Sequence, residues 1–232
     1  MSADPPFLAI AHRYGNGLRQ LHRAEDAGAD LVEADVWLYR GRLEVRHSKT
    51  MGPVPLLWDR WSLEPASRAR LSLAALVQAA APGTELMLDL KGAAPGLPGA
   101  VLGEMERVAP GRSYAVCSQG WQLLTPFEPL PHVRVVHSVG NVRALRDVLN
   151  RLSGESHHAI SINQKLLDAA LVRELRQAAP TVMTWPINSL ERLARVRNWG
   201  VTGAISDRLA IVRTIVGARG DREATGSGKG ME

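Results

Sequence analysis

The stretch Leu31–His47, LVEADVWLYRGRLEVRH, is the segment from which the fold of this chain is best inferred. Its first half is rich in valine and leucine and predicts a buried strand, on which Glu33 and Asp35 share one face because side chains alternate along a strand. Gly41 then closes a turn, and the alternating segment Leu43–His47 returns an imidazole toward the same end. Buried carboxylates must be neutralised or paired, and a divalent cation is the simplest partner. The alternative is an edge strand whose acids face water.

The composition is that of a folded globular protein, since hydrophobic residues make up 45% and charged residues 22% of the 232 positions. This length suffices for one α/β barrel, and no linker-like segment divides the chain. No apolar run reaches the length of a membrane span, and residues 1–6 lack the features of a secretion signal. We therefore expect a cytoplasmic protein with no integral membrane association. A single cysteine, Cys117, predicts no internal disulfide.

The charge pattern argues against nucleic acid as a partner. The formal charge is +5, but the arginines are scattered and alternate with acids, which is typical of solvated helix faces. Only 5% of the residues are aromatic, and they do not interleave with a basic stripe as single-strand binding would require. The excess of positive charge favours only a weak attraction to substrates that carry phosphate.

Strand-like and helix-like segments alternate along the chain, and eight such pairs predict an α/β fold, a (β/α)8 TIM barrel in a single domain. The predicted strands are Phe7–Ala11, the strand that begins at Leu31, Leu86–Leu90, Tyr114–Cys117, Val133–Val136, His158–Ile162, Thr181–Trp185 and Gly203–Ser206. The predicted helices are Leu18–Gly28, Leu71–Ala80, Leu97–Val108, Trp121–Thr125, Val142–Leu152, Leu167–Ala178, Leu190–Asn198 and Leu209–Val216. The prolines of Met51–Arg70 predict an irregular loop packed by Trp58 and Trp61. We assign residues 1–216 to the barrel and residues 217–232 to a flexible tail.

Polar residues gather where the predicted strands end, which is where barrels of this kind carry their functional groups. They are His12 and Arg13, Glu33 and Asp35, Asp89 and Lys91, Ser118, Asn163, Trp185 and Asp207. Asp207 precedes an apolar periodic run, and we expect it to cap the last helix. His137, at the end of the fifth strand, is a candidate for a contact that supports the site.

Three of these carboxylates suggest a metal site. Glu33, Asp35 and Asp89 would offer an all-oxygen ligand set from two neighbouring strands, which suits one divalent cation, Mg²⁺ or Ca²⁺, better than zinc. Salt bridges from the acids to Arg13 or Lys91 are the alternative, and they would need no metal.

The remaining charged groups fit the hydrolysis of a phosphodiester. Arg13 can clamp two phosphate oxygens, and Lys91 supplies a point charge. His12 and His47 are left for proton transfer near neutral pH, one activating the attacking group and one protonating the departing alkoxide. The alternative for His47 is an ordinary cross-strand residue with no role in chemistry.

The whole series resembles the glycerophosphodiester phosphodiesterase family. The matching parts are His12-Arg13, Glu33-x-Asp35, His47, Asp89-x-Lys91, residues 182–188 (VMTWPIN) and residues 200–207 (GVTGAISD). The resemblance implies a TIM barrel that hydrolyses a glycerophosphodiester to glycerol phosphate and an alcohol with the help of one divalent metal. The implied roles are metal binding by Glu33, Asp35 and Asp89, acid–base catalysis by His12 and His47, phosphate binding by Arg13 and Lys91, and a wall for the departing group at Trp185.

Several positions depart from the pattern of that family. Tyr14 replaces the glycine of His-Arg-Gly, the Glu-Asn-Thr segment of the first loop is absent, Ser48 replaces an aspartate, and Asp89 replaces the more common glutamate. The short first loop and the Asp-x-Lys pair are similar to the related phospholipase D-type toxins, the sphingomyelinases D. Small phosphodiesters and lysophospholipids are therefore both expected substrates. Two alternatives stay open: cleavage of a lipid head group with release of a cyclic phosphate, and a barrel that binds phosphorylated ligands without turnover.

Overall fold

A computed structural model of the chain describes residues 6–51, 54–59, 62–152 and 159–226. The strands are β1 (Leu8–Ala11), β2 (Leu31–Tyr39), β3 (Arg42–Val45), β4 (Lys49–Met51), β5 (Val54–Asp59), β6 (Ser62–Pro65), β7 (Leu71–Ser72), β8 (Glu85–Leu90), β9 (Tyr114–Ser118), β10 (Val133–Val139), β11 (Ala159–Asn163), β12 (Thr181–Trp185) and β13 (Gly203–Ser206). The α-helices are α1 (Leu18–Glu25), α2 (Leu73–Ala79), α3 (Leu97–Val108), α4 (Val142–Leu152), α5 (Ala169–Ala178), α6 (Leu190–Asn198) and α7 (Leu209–Gly226). Short 3₁₀ turns lie at Tyr14–Asn16, Trp121–Leu123, Thr125–Phe127 and Gln164–Leu166.

Parallel strands form a closed barrel, in the order β1-β13-β12-β11-β10-β9-β8-β2, with β2 pairing back to β1. The (β/α)8 TIM barrel predicted from the alternating pattern is therefore confirmed. Closure places the first and last strands side by side, and the β1–β13 register pairs Ala11 with Ser206. The β2–β8 register pairs Asp35 with Asp89. Residues that are far apart in the sequence thus meet at one rim.

Apolar side chains fill the barrel on both sides of its wall. One cluster packs between the strands and the surrounding helices, and a second, with Ile10, Leu31, Met87 and Met183, fills the barrel interior. Helices α2, α5 and α6 each begin after a residue whose side chain accepts from a free backbone N–H, as Ser72 does from Ala75 N at the start of α2. In the described part, no helix combines the length and the apolar character needed to span a membrane.

The prediction of an irregular loop at Met51–Arg70 is wrong. The strands β4, β5 and β6 form an antiparallel sheet in that segment, in which Leu57 is buried and Trp58 is exposed. The prolines are compatible with the sheet because Pro55 lies at a shift in the β4–β5 register and Pro65 ends β6. Packing by Trp61 was also predicted, and this residue lies outside the described part.

Two helical predictions also differ from the structure. The stretch predicted as a helix from Trp121 to Thr125 consists of two 3₁₀ turns. Helix α7 continues beyond the predicted end at Val216, and Arg219 forms an ion pair with Asp30 of the β1–β2 region. Residues 227–232 lie outside the described part, so the flexibility of the tail stays a prediction, as does the start of the sixth barrel strand at His158.

Candidate active site

A cavity of about 130 Å³ opens at the carboxyl ends of the barrel strands. Six of the eight predicted site residues line it, namely His12, Arg13, Glu33, Asp89, Lys91 and Trp185. The floor includes the apolar Met87 and Ile205 together with Cys117, whose thiol pKa is raised well above its usual value by burial. The wall also carries three polar residues that the sequence did not single out, Gln119, Ser138 and Ser161. Gln119 follows the end of β9 and Ser138 lies near the end of β10, whereas Ser161 lies in the middle of β11, where no pattern marks it as a site residue.

The three predicted metal ligands lie together. Glu33, Asp35 and Asp89 each offer a carboxylate oxygen, and these atoms lie within 4.8 Å of one another. Glu33 and Asp35 are 2% and 1% exposed. Among the described residues, no donor reaches Glu33 Oε1, which is fully buried. A buried carboxylate oxygen without a hydrogen bond is costly, and the set of hard oxygen donors therefore fits a divalent cation such as Mg²⁺ or Ca²⁺.

The pKa values of the three carboxyl groups are shifted by burial and by their closeness to one another. Burial, and then the charge of Asp35, raise the pKa of Glu33 to about 8. Burial also raises the pKa of Asp89. Burial alone would raise the pKa of Asp35 as well, but Lys91 and a hydrogen bond from Asn16 hold it below its ordinary value. Full ionisation of all three acids therefore requires more positive charge than Lys91 supplies.

Lys91 contacts two of these acids. Its Nζ lies 2.9 Å from Asp35 Oδ1 and also donates to Asp89. Burial would lower the pKa of Lys91, but Asp89 and Asp35 together raise it above its usual range. Arg13 is more distant, with 4.0 Å between its Nε and Asp35 Oδ2. The ion pairs that are the alternative to a metal thus form at Asp35 and Asp89, but no donor within the described residues reaches Glu33 Oε1.

The short first loop holds the acids from the side of β1. Arg13 has a left-handed backbone, with φ of 62°, and its N–H donates to Glu33 Oε2 at 2.5 Å. Asn16 forms two hydrogen bonds with Asp35. Its Nδ2 donates to Asp35 Oδ2 at 2.7 Å, and its Oδ1 accepts from the backbone N–H of Asp35 at 2.8 Å. Asn16 was not predicted, because a polar residue in a loop has no pattern that reveals its partner.

His12 is held by a carboxylate at the end of the last barrel strand. Its Nδ1 lies 2.7 Å from Asp207 Oδ1, and its Nε2 lies 3.9 Å from Glu33 Oε2. Burial would lower the pKa of His12, but the hydrogen bond to Asp207 raises it above the ordinary value. The same bond holds the Asp207 pKa well below its usual range. Asn188 donates to the second Asp207 oxygen at 2.8 Å and fixes the carboxylate.

The prediction that Asp207 caps the last helix is wrong. Its carboxylate accepts from His12 and Asn188, while Ser206 Oγ accepts from the backbone N–H of Arg208. Barrel closure explains the difference, since the end of β13 lies beside the end of β1. His137, considered as a support for the site, is fully buried and its ring packs edge-to-face on Trp121 at 5.4 Å between centroids.

His47 has an analogous partner. Its Nδ1 lies 2.7 Å from Oδ1 of Asp59, which ends β5 in the antiparallel sheet. The backbone bond from Arg46 N to Asp35 O brings this histidine beside the acids, and its charge helps to lower the pKa of Asp35. In the described part of the chain, His47 itself does not line the cavity. Asp59 was missed because its segment was interpreted as an irregular loop.

The comparisons with known proteins identify the fold. No family model and no curated protein matches the chain, whereas solved structures do. An Oleispira antarctica phosphodiesterase, solved in complex with the product sn-glycerol-3-phosphate, superposes with a TM-score of 0.72 and 19% identity over 90% of this chain and 96% of that one. A glycerophosphodiester phosphodiesterase from Thermotoga maritima superposes with a TM-score of 0.70 and 18% identity over 91% of this chain and 98% of that one. A glycerophosphodiester phosphodiesterase from Parabacteroides distasonis gives a TM-score of 0.68 and 18% identity over 94% of this chain and 100% of that one. The chain therefore has the same fold as these phosphodiesterases, as its motifs predict.

Proposed function

We propose that this chain is a metal-dependent phosphodiesterase that hydrolyses glycerophosphodiesters to glycerol phosphate and an alcohol. One observation carries the proposal: two histidines, each bonded through Nδ1 to an aspartate, flank a cluster of three carboxylates, two of them buried, at the mouth of the barrel. The solved phosphodiesterase that holds sn-glycerol-3-phosphate supports it, because its fold is shared.

Glu33, Asp35 and Asp89 are the proposed ligands of one divalent cation, Mg²⁺ or Ca²⁺. The support is the hard, all-oxygen donor set and the buried Glu33 Oε1, which accepts no hydrogen bond among the described residues. When bound, the cation would supply positive charge to the phosphate oxygens of the substrate. Asn16 and the backbone N–H of Arg13 would keep two of the carboxylates oriented toward it.

His12 and His47 are the proposed acid–base pair. A hydrogen bond from Nδ1 to a carboxylate fixes the tautomer and leaves Nε2 to exchange a proton with the substrate. One histidine would accept a proton from the attacking water, and the other would donate one to the departing alkoxide oxygen. Asp207 and Asp59 are positioning residues in this scheme, because they act through the imidazoles.

Arg13 and Lys91 are proposed to bind the phosphate, and Trp185 to wall the departing group. Both cations line the cavity, and Lys91 keeps its positive charge because the neighbouring acids raise its pKa. Trp185 lies at the end of β12 and presents a half-buried ring to the same cavity. The small substrate that this geometry suits is a glycerophosphodiester or a lysophospholipid.

A second candidate is cleavage of a lipid head group by internal attack of a substrate hydroxyl, which releases a cyclic phosphate. The observation that favours it is the compact first loop, a single 3₁₀ turn at Tyr14–Asn16 that packs on β2. Gly15 permits this contact, since a Cβ there would lie 2.7 Å from the Cβ of Ala34.

Phosphorus NMR separates these functions. The protein is incubated with glycerophosphocholine or a lysophospholipid and Mg²⁺ or Ca²⁺, with and without a chelator. An open monoester that disappears with the chelator supports hydrolysis, a cyclic phosphate supports internal attack, and retained binding without conversion supports a barrel that only binds phosphorylated ligands.

Glu33→Gln tests the metal assignment directly. The variant should lose at least about a hundredfold in rate, since a metal contributes several kcal/mol of charge stabilisation, and it should no longer bind the cation in calorimetry. Glu85→Gln is the matched control, because Glu85 lies at the opposite end of β8 and pairs with Arg134 at 3.2 Å. A fully active Glu33→Gln variant would reject the metal site.

A further inference from the structure

Exposed apolar side chains are concentrated around the mouth of the barrel. The described part of the chain has seven large hydrophobic residues that are exposed. Three of them, Leu18, Val142 and Leu190, are the first residues of α1, α4 and α6. Each of these helices follows a parallel barrel strand, so each begins at the end of the barrel where the cavity opens.

The other four lie on one face of the β4–β6 sheet: Met51, Val54, Trp58 and Leu63. Trp58 pairs across the strands with Leu63 on one side and Lys49 on the other, so these three side chains share the outer face. The inner face carries the buried Leu57 and the partly exposed Asp59, which bonds to His47. One small sheet thus has an apolar outer surface and holds a site residue beneath it.

Exposed cations accompany the apolar residues. Arg19, Arg143 and Arg192 follow Leu18, Val142 and Leu190 within two positions and are exposed, as is Lys49. Among the described residues, none of these four cations forms an ion pair. Cations in the first turn of a helix oppose the helix dipole, so the stability of α1 and α4 does not account for Arg19 and Arg143.

We propose that this face docks on the surface of an anionic phospholipid membrane. The seven apolar side chains would enter the headgroup boundary, as tryptophan and leucine do in peripheral proteins, while the four cations contact lipid phosphates. A second copy of the chain fits less well, because each copy has a net charge of +5 and two such faces would repel each other. The docking stands on these residues alone. The further step, in which docking delivers lysophospholipid from the membrane to the cavity, rests on the proposed function.

Vesicle sedimentation tests the docking. The full chain is mixed with vesicles of phosphatidylcholine alone or with equal parts of phosphatidylglycerol, at low and high salt. Binding should require the anionic lipid and weaken with salt. The double variant Trp58→Ser, Leu63→Ser should lose roughly tenfold or more in partitioning, because binding strength follows the apolar area buried. Its hydrolysis of soluble glycerophosphocholine should be unchanged, while its hydrolysis of lysophospholipid in vesicles should fall.

Charge reversal supplies the second test and its control. Arg143→Glu with Arg19→Glu should weaken binding to anionic vesicles, whereas Arg107→Glu should not, since Arg107 lies in the last turn of α3 at the opposite end of the barrel. Equal binding by all variants, or no binding by the unaltered chain, would overturn the proposal. So would a dimer in light scattering that the Trp58→Ser, Leu63→Ser variant abolishes. Vesicle binding by a protein that cleaves no diester would instead refute the proposed function and leave the docking standing.

Discussion

Replacing Asp207 with asparagine should slow turnover without disturbing the barrel. The asparagine oxygen would still accept a hydrogen bond from His12 Nδ1, which lies 2.7 Å from the carboxylate, but the negative charge would be lost. A hydrogen bond to a charged group contributes about 1.5–3 kcal/mol. Asp207 is 45% exposed, and water screens part of that interaction, so the lower end applies.

The variant keeps a neutral hydrogen bond worth about 0.5–1.5 kcal/mol, so the loss is about 1 kcal/mol, which corresponds to roughly a fivefold fall in kcat/KM. The pKa of His12 should also decrease, because the Asp207 hydrogen bond is what raises it against burial. The limb of the pH–rate profile that reports His12 should therefore move to lower pH. The assay is steady-state hydrolysis of glycerophosphocholine across the pH range, with binding of the cation measured separately by calorimetry.

Asp168→Asn is the matched control. Asp168 caps α5 by accepting from Leu171 N at 2.8 Å, and asparagine caps a helix about as well as aspartate. Its activity and pH profile should equal those of the unaltered chain. If Asp207→Asn kept both its rate and its profile, the idea that Asp207 positions and charges His12 would be refuted.

Three further changes probe the first loop, the antiparallel sheet and a tyrosine distant from the site. Gly15→Ala should lower the free energy of unfolding by about 1–3 kcal/mol in urea, because the new Cβ would meet Ala34 at 2.7 Å. Gly103→Ala on α3 is its control, and it should stabilise by about 0.5–1 kcal/mol. Asp59→Asn should reduce kcat roughly tenfold through His47 while calorimetry shows unchanged binding of the cation. Burial raises the pKa of Tyr114 to about 12, above the unfolded value of about 10. The folded state then holds this proton longer, so stability falls as pH rises between the two values, and Tyr114→Phe should flatten that fall in urea titrations at each pH.

Local patterns in the sequence were sufficient for the barrel and for most of its rim. Strand periodicity placed Glu33 and Asp35 on one face. The rule that barrels carry functional residues at strand ends predicted that His12 and Lys91 belong to the same site. The structure brings these residues together, and their roles remain proposals. The sheet at residues 49–65 was missed because its prolines dominated the local signal, although they lie at a register shift and a strand end.

Partners that depend on closure could not be found in the same way. Asp207 reaches His12 only because β13 pairs with β1, and Asp59 reaches His47 only because β5 folds back on β4, which follows His47 in the chain. Nothing in the periodicity of either segment encodes such a pairing. The roles of Asn16 and Asn188 likewise cannot be predicted until the positions of the acids to which they donate hydrogen bonds are known.

The contact between His12 and Asp207 joins positions 195 residues apart. A nascent chain on the ribosome that has emerged only as far as β12 already contains all three acids and both imidazoles. It still lacks Asp207 and the neighbour that β1 needs on its second side. The ribosome must therefore release β13 before His12 gains its carboxylate and before the barrel can close.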